Sequence, residues 1–164
     1  MKDASLLLFA GLLLLFSGCA REPAGDPVIS TVDATACKNG LLKAFQDHPS
    51  DQDCIVYRWS EGDTLRIKHV NAGFNCCPQG FQTSLRVAGD TLVITEKENS
   101  SLCDCNCLFD LNYFVTGIEK DDWWIRVEEP YVGGDAEKIL FKVELKKASE
   151  GEHCLTRTGY PWRL

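Results

Sequence analysis

Residues 55–69, Ile55-Val56-Tyr57-Arg58-Trp59-Ser60-Glu61-Gly62-Asp63-Thr64-Leu65-Arg66-Ile67-Lys68-His69, decide the fold. Ile55, Tyr57 and Trp59 alternate with Val56, Arg58 and Ser60. Leu65, Ile67 and His69 alternate with Arg66 and Lys68. A period of two marks extended chain with one packed face and one wet face. Glu61-Gly62-Asp63 separates the two runs as a turn, with glycine free to take positive φ. The same alternation recurs at Phe109–Val115, Trp123–Val127 and Ile139–Leu145, while Gly89-Asp90 separates Leu85–Ala88 from Thr91–Thr95. Gly133-Gly134-Asp135 makes a looser turn. Seven strands are predicted, at about 54–60, 64–71, 82–88, 91–97, 108–116, 123–129 and 138–146. The one helical candidate is Lys38–Gln46, where Leu41, Leu42 and Phe45 share a face, and Asp47-His48-Pro49 ends it. The expected class is all-β: a single disulfide-crosslinked antiparallel β-sandwich, immunoglobulin-like, with about seven strands and at most one short N-terminal helix. A small barrel is the alternative, and the strand order is not readable.

Ala4–Phe16 is apolar for about 13 residues, the length of a signal h-region and too short to span a bilayer, which needs about 20. The run Leu12-Leu13-Leu14-Leu15-Phe16-Ser17-Gly18-Cys19 resembles a bacterial lipoprotein signal. Phe16 stands where leucine is usual, a looseness similar to lipoproteins of the Bacteroidetes type. That resemblance implies cleavage of residues 1–18, acylation of Cys19 and a membrane attachment through lipid. Residues 19–36 are then lipidated cysteine and tether, Pro/Gly-rich over residues 20–30, and 37–164 are the domain. Ala20 is compatible with outer-membrane sorting, with the periplasmic and surface sides unresolved. The net charge of −7 argues against nucleic-acid partners and against electrostatic docking on anionic lipid.

Setting Cys19 aside leaves Cys37, Cys54, Cys76, Cys77, Cys103, Cys105, Cys107 and Cys154, an even number that reads as a disulfide set in an oxidising compartment. Cys76 and Cys77 are adjacent and point to opposite sides of an extended chain, so different partners are expected. The favoured arrangement bonds both into Cys103-Asp104-Cys105-Asn106-Cys107. The remaining member of that trio then reaches Cys37, Cys54 or Cys154. A chain of this length can bury about two-thirds of its unfolded surface without crosslinks. Four bridges therefore point to selection for persistence. The competing reading is a soft-metal site in which Cys76, Cys77, Cys103, Cys105 and Cys107, with His69, hold copper(I) or zinc.

The segment His69–Pro78 and the segment Cys103–Asp110 together are similar to a family of uncharacterised, cysteine-rich Bacteroidetes lipoproteins, over roughly residues 54–130. The resemblance implies location and fold and brings no activity with it.

Two other groups of residues invite a functional role. His69 shares a strand face with Leu65 and Ile67, which aims it inward as a hydrogen-bonded core residue. Trp124, if Trp123 faces the core, points outward, and with Tyr131 and the terminal Trp162 it could offer rings to a glycan or a protein. His48 and His153 sit in no motif, and nothing resembles a nucleophile elbow, a zinc-protease helix or a phosphate loop. The expectation is a non-catalytic binding or structural module of the cell envelope, with no cofactor and with an unknown protein or glycan ligand. A thiolate metal-binding protein comes second and an envelope hydrolase third.

Overall fold

The computed structural model describes residues 26–38, 48–100, 103–133 and 137–159. Among the described residues nine strands run in chain order: β1 (Val28–Ala34), β2 (Gln52–Ser60), β3 (Thr64–Asn75), β4 (Pro78–Ala88), β5 (Thr91–Ser100), β6 (Asn106–Thr116), β7 (Asp122–Glu128), β8 (Leu140–Glu144) and β9 (Glu150–Thr156). They form two open sheets, one of five strands in the order β1-β6-β3-β2-β9 and one of four in the order β4-β5-β7-β8. The described residues thus form an all-β, two-sheet sandwich and not a closed barrel. All ladders are antiparallel except β5–β7, which run parallel. Among the described residues there is no helix. The expected helix over Lys38–Gln46 lies, apart from Lys38, outside them, as do the signal segment, Cys19 and Trp162.

Alternation produces the sandwich directly. Ile55, Leu65, Ile67, Leu111, Tyr113 and Val115 turn inward from the five-stranded sheet. Leu92, Ile94, Ile125, Val127 and Val143 meet them from the other, and all are buried. Phe74, Phe81 and Phe109 close one end edge-to-face, with centroids 4.9 to 6.3 Å apart. A β-bulge between His69 and Ala72 in β3, with Asn71 at φ 63°, inserts one residue and reverses the parity of the strand. Inward positions before the bulge are Leu65, Ile67 and His69, and after it Ala72 and Phe74.

Two strands correct the sequence reading. β1 occupies residues assigned to the tether, so the folded domain includes Val28–Ala34, upstream of residue 37. Ile29 and Ala34 pack against the core from this edge position. β9 carries no apolar alternation, since Glu150-Gly151-Glu152-His153-Cys154 is polar, as an edge strand can be.

The bridges are Cys37–Cys107, Cys54–Cys154, Cys76–Cys105 and Cys77–Cys103. The last two fasten the β3–β4 connection to the approach to β6. Cys37–Cys107 holds the segment after β1. Cys54–Cys154 joins residues directly opposite on β2 and β9, with Cα atoms 4.1 Å apart.

Candidate functional site

The outer face of the five-stranded sheet carries a regular grid. One row across the strands is Asp33, Asn112, Lys68, Val56 and Glu152. The next is Ser30, Phe114, Arg66, Arg58 and Glu150. Cations occupy the middle strands and carboxylates the edges. These rows, Ser30 apart, line a broad depression of about 1010 Å³. Arg58 is tied to Glu150 at 2.8 Å and Lys68 to Asp110 at 3.2 Å. Arg66 instead lies 5.2 Å from the centre of the Phe114 ring, and among the described residues it has no ion pair. Its guanidinium is therefore available to an incoming anion.

Asp110 anchors this face from one end. It accepts from Lys38 Nζ, from Lys68 Nζ at 3.2 Å and from the Asn71 backbone N–H at 3.0 Å. Burial raises its pKa, but the Lys38 bond, the Asn71 N–H and the charges of Lys38 and Lys68 outweigh burial and hold it below the usual carboxylate value. Asn71, placed by the bulge, donates its amide to the carbonyls of Pro49 at 2.9 Å and Gln52 at 2.6 Å. That fixes the segment preceding β2.

Between the sheets lies a sealed ionic cluster. His69 Nδ1 contacts Glu96 Oε1 at 2.9 Å and Oε2 at 3.0 Å, and His69 Nε2 contacts Asp53 Oδ1 at 2.7 Å. Tyr113 donates to Glu96 Oε1 at 3.0 Å. Arg157 donates through Nε to Asp53 Oδ2 at 2.7 Å and through Nη2 to Glu129 Oε2 at 3.1 Å. The side chains of Asp53, His69 and Glu96 are fully buried. Burial pushes the imidazole down, but Glu96 and Asp53 overcome it and raise His69 well above its ordinary value. Two cations then face three acids, and neutrality asks one acid to keep its proton. Glu129 is that acid. Burial first, then the charge of Asp53, pushes it up to about 8. Its Oε1 makes no hydrogen bond among the described residues and stands 3.8 Å from His69 Nε2.

With both nitrogens held by carboxylates, His69 serves as a core residue and does not join the cysteines as a ligand. The thiols of the soft-metal reading are tied into Cys76–Cys105, Cys77–Cys103 and Cys37–Cys107, which removes the thiolates that metal coordination needs. Of the three aromatic candidates, the two that lie among the described residues, Trp124 and Tyr131, do not converge. Trp124 is exposed on the outer face of the four-stranded sheet. Tyr131 packs against the core and donates to Glu98, which pushes its pKa up to about 12, and Trp162 lies outside the described residues.

The sequence reading missed Asp53, Glu96, Glu129 and Arg157. A signal existed for the acids. Asp53 shares parity with Ile55 and Tyr57, Glu96 with Leu92 and Ile94, and Glu129 with Ile125 and Val127. An acid on the apolar face of each of three segments calls for a buried counter-charge. Arg66 and Phe114 likewise passed unremarked as the wet positions of their strands. No protein-family profile, curated protein or solved structure matches this chain.

Proposed function

We propose that this chain is a lipid-anchored, disulfide-crosslinked binding module of a bacterial cell envelope, non-catalytic, that takes a carboxylated glycan on the outer face of its five-stranded sheet. The observation that carries the reading is Arg66, a guanidinium that has no ion pair among the described residues, in the middle of a depression of about 1010 Å³. A guanidinium presents the planar fork that matches a carboxylate. Phe114 beside it offers a ring to sugar C–H groups, and Asn112 offers an amide to hydroxyls. The edge acids Asp33, Glu150 and Glu152 disfavour a ligand that strays off the central strands. Four bridges fit residence outside the cytoplasm. Occupation of both His69 nitrogens by carboxylates favours binding over the hydrolase reading.

Calorimetric titration with a polyuronate and with a neutral polysaccharide tests the proposal. Binding of the polyuronate alone, weakened roughly tenfold or more in Arg66→Ala, is expected, since a charged hydrogen bond contributes about 1.5–3 kcal/mol. Equal affinity of Arg66→Ala and the wild type, or equal binding of the neutral polymer, would contradict it.

A further inference from the structure

A separate cluster of ligating side chains sits at the edge of the same sheet, sharing only Glu152 with the depression. Cys54 and Cys154 are register partners on β2 and β9, with Cys54 buried and Cys154 partly exposed. The segment held by Asn71 places His48 beside them. His48 Nε2 lies 2.9 Å from Glu152 Oε2, and Glu152 Oε1 lies 3.3 Å from Cys154 Sγ. One ligand atom from each of His48, Cys54, Glu152 and Cys154 falls within 4.8 Å of all the others. His48 Nδ1 is buried and, among the described residues, has no hydrogen-bond partner.

We propose that reduction of Cys54–Cys154 opens a site for a thiophilic divalent cation, zinc foremost, held by His48, Cys54, Glu152 and Cys154. One imidazole nitrogen, one carboxylate oxygen and two thiolates form a four-donor set of the kind zinc takes. The intact bridge keeps the site shut, because disulfide sulfur carries no negative charge to offer. A dithiol reductant supplies the two electrons. Its thiolate attacks the bridge, its second thiol resolves the mixed disulfide, and Cys54 and Cys154 emerge as thiols while the reductant becomes a disulfide. Zinc binding then displaces the two thiol protons to solvent. The other close-set cysteines, Cys76, Cys77 and Cys103, form a group of sulfur alone. Only the pair on β2 and β9 lies in a group with an imidazole and a carboxylate among the described residues.

The test uses the full chain, reduced with a phosphine, freed of reductant, titrated with zinc and then alkylated with iodoacetamide. Peptide mapping should show Cys54 and Cys154 protected by one zinc per chain while the other reduced cysteines are modified. His48→Gln and Glu152→Gln should each weaken zinc by roughly tenfold or more. Cobalt(II) in place of zinc should give a sulfur-to-cobalt absorption band in the wild type and none in Cys54→Ser/Cys154→Ser. Equal alkylation of Cys54 and Cys154 with and without zinc would overturn the proposal. So would protection confined to Cys76, Cys77, Cys103 and Cys105, or wild-type affinity in both His48→Gln and Glu152→Gln.

Discussion

His69 joins the two sheets: its Nδ1, carried on β3, lies 2.9 Å from Glu96 Oε1, carried on β5 of the facing sheet. The opposite nitrogen reaches Asp53 at 2.7 Å. Substituting His69→Leu removes a cation and leaves two buried carboxylates short of a partner. Breaking a buried ion pair in this way costs about 3–5 kcal/mol. Urea denaturation of wild type and variant should show a loss in that range. A loss under about 1 kcal/mol would mean that the cluster contributes little to holding the sheets together.

The same cluster dictates a pH dependence. Glu129 holds its proton up to about 8, against an ordinary value of 4.5, so the folded state binds a proton that the unfolded chain has already released. His69 is likewise raised, so its contribution is complete below 6.5 and disappears as pH climbs through its folded value. Stability should therefore fall as pH rises from about 4.5 through 8, by at most roughly 1.4 kcal/mol per pH unit for each proton involved. Asp110 works in the opposite direction. Its lowered pKa contributes stability above 3.8 that is lost as pH falls through the folded value. Urea midpoints across this range should shift accordingly, and Glu129→Gln should flatten the slope between pH 5 and about 8. A slope unchanged by Glu129→Gln would rule out Glu129 as the proton holder.

Local alternation carried most of the architecture, because a half-buried strand writes its two faces into neighbouring residues. β2, β5, β6 and β7 were legible for that reason. β3 was read only to residue 71 because the bulge at Asn71 interrupts the period, and no local pattern foretells which strand will carry an extra residue. β1 and β9 are edge strands whose partners lie far away in sequence, so pairing and not composition makes them strands. The ionic cluster was hidden for a related reason. Asp53 and Arg157 are 104 residues apart, and an inward acid becomes interpretable only once its counter-charge is known.

Gly151 has a steric reason to lack a side chain. A Cβ there would sit 2.7 Å from Tyr57 Cζ, on the ring that packs 6.1 Å from Phe141. Gly151→Ala should destabilise by about 1–3 kcal/mol, the usual penalty for overpacking. Gly151→Ala combined with Tyr57→Leu should recover part of that loss in thermal unfolding. An additive double variant would show that the ring is not the obstacle.

The bridges should matter beyond foldability. Cys37–Cys107 closes 70 residues and Cys54–Cys154 closes 100, separations at which a native disulfide typically contributes about 2–5 kcal/mol. The fully reduced chain should melt well below the oxidised one and be cut faster by protease. Identical melting temperatures would refute a stabilising role.

Acylation and crosslinking outside the cytoplasm together define the proposed module, and one intact-mass measurement reads both. Protein extracted from membranes without reductant is weighed and fragmented. The account expects a chain beginning at Cys19 with acyl mass on that residue and lacking two hydrogens for each of four bridges. An unacylated terminus, or free thiols among Cys37, Cys54, Cys76, Cys77, Cys103, Cys105, Cys107 and Cys154, would contradict it.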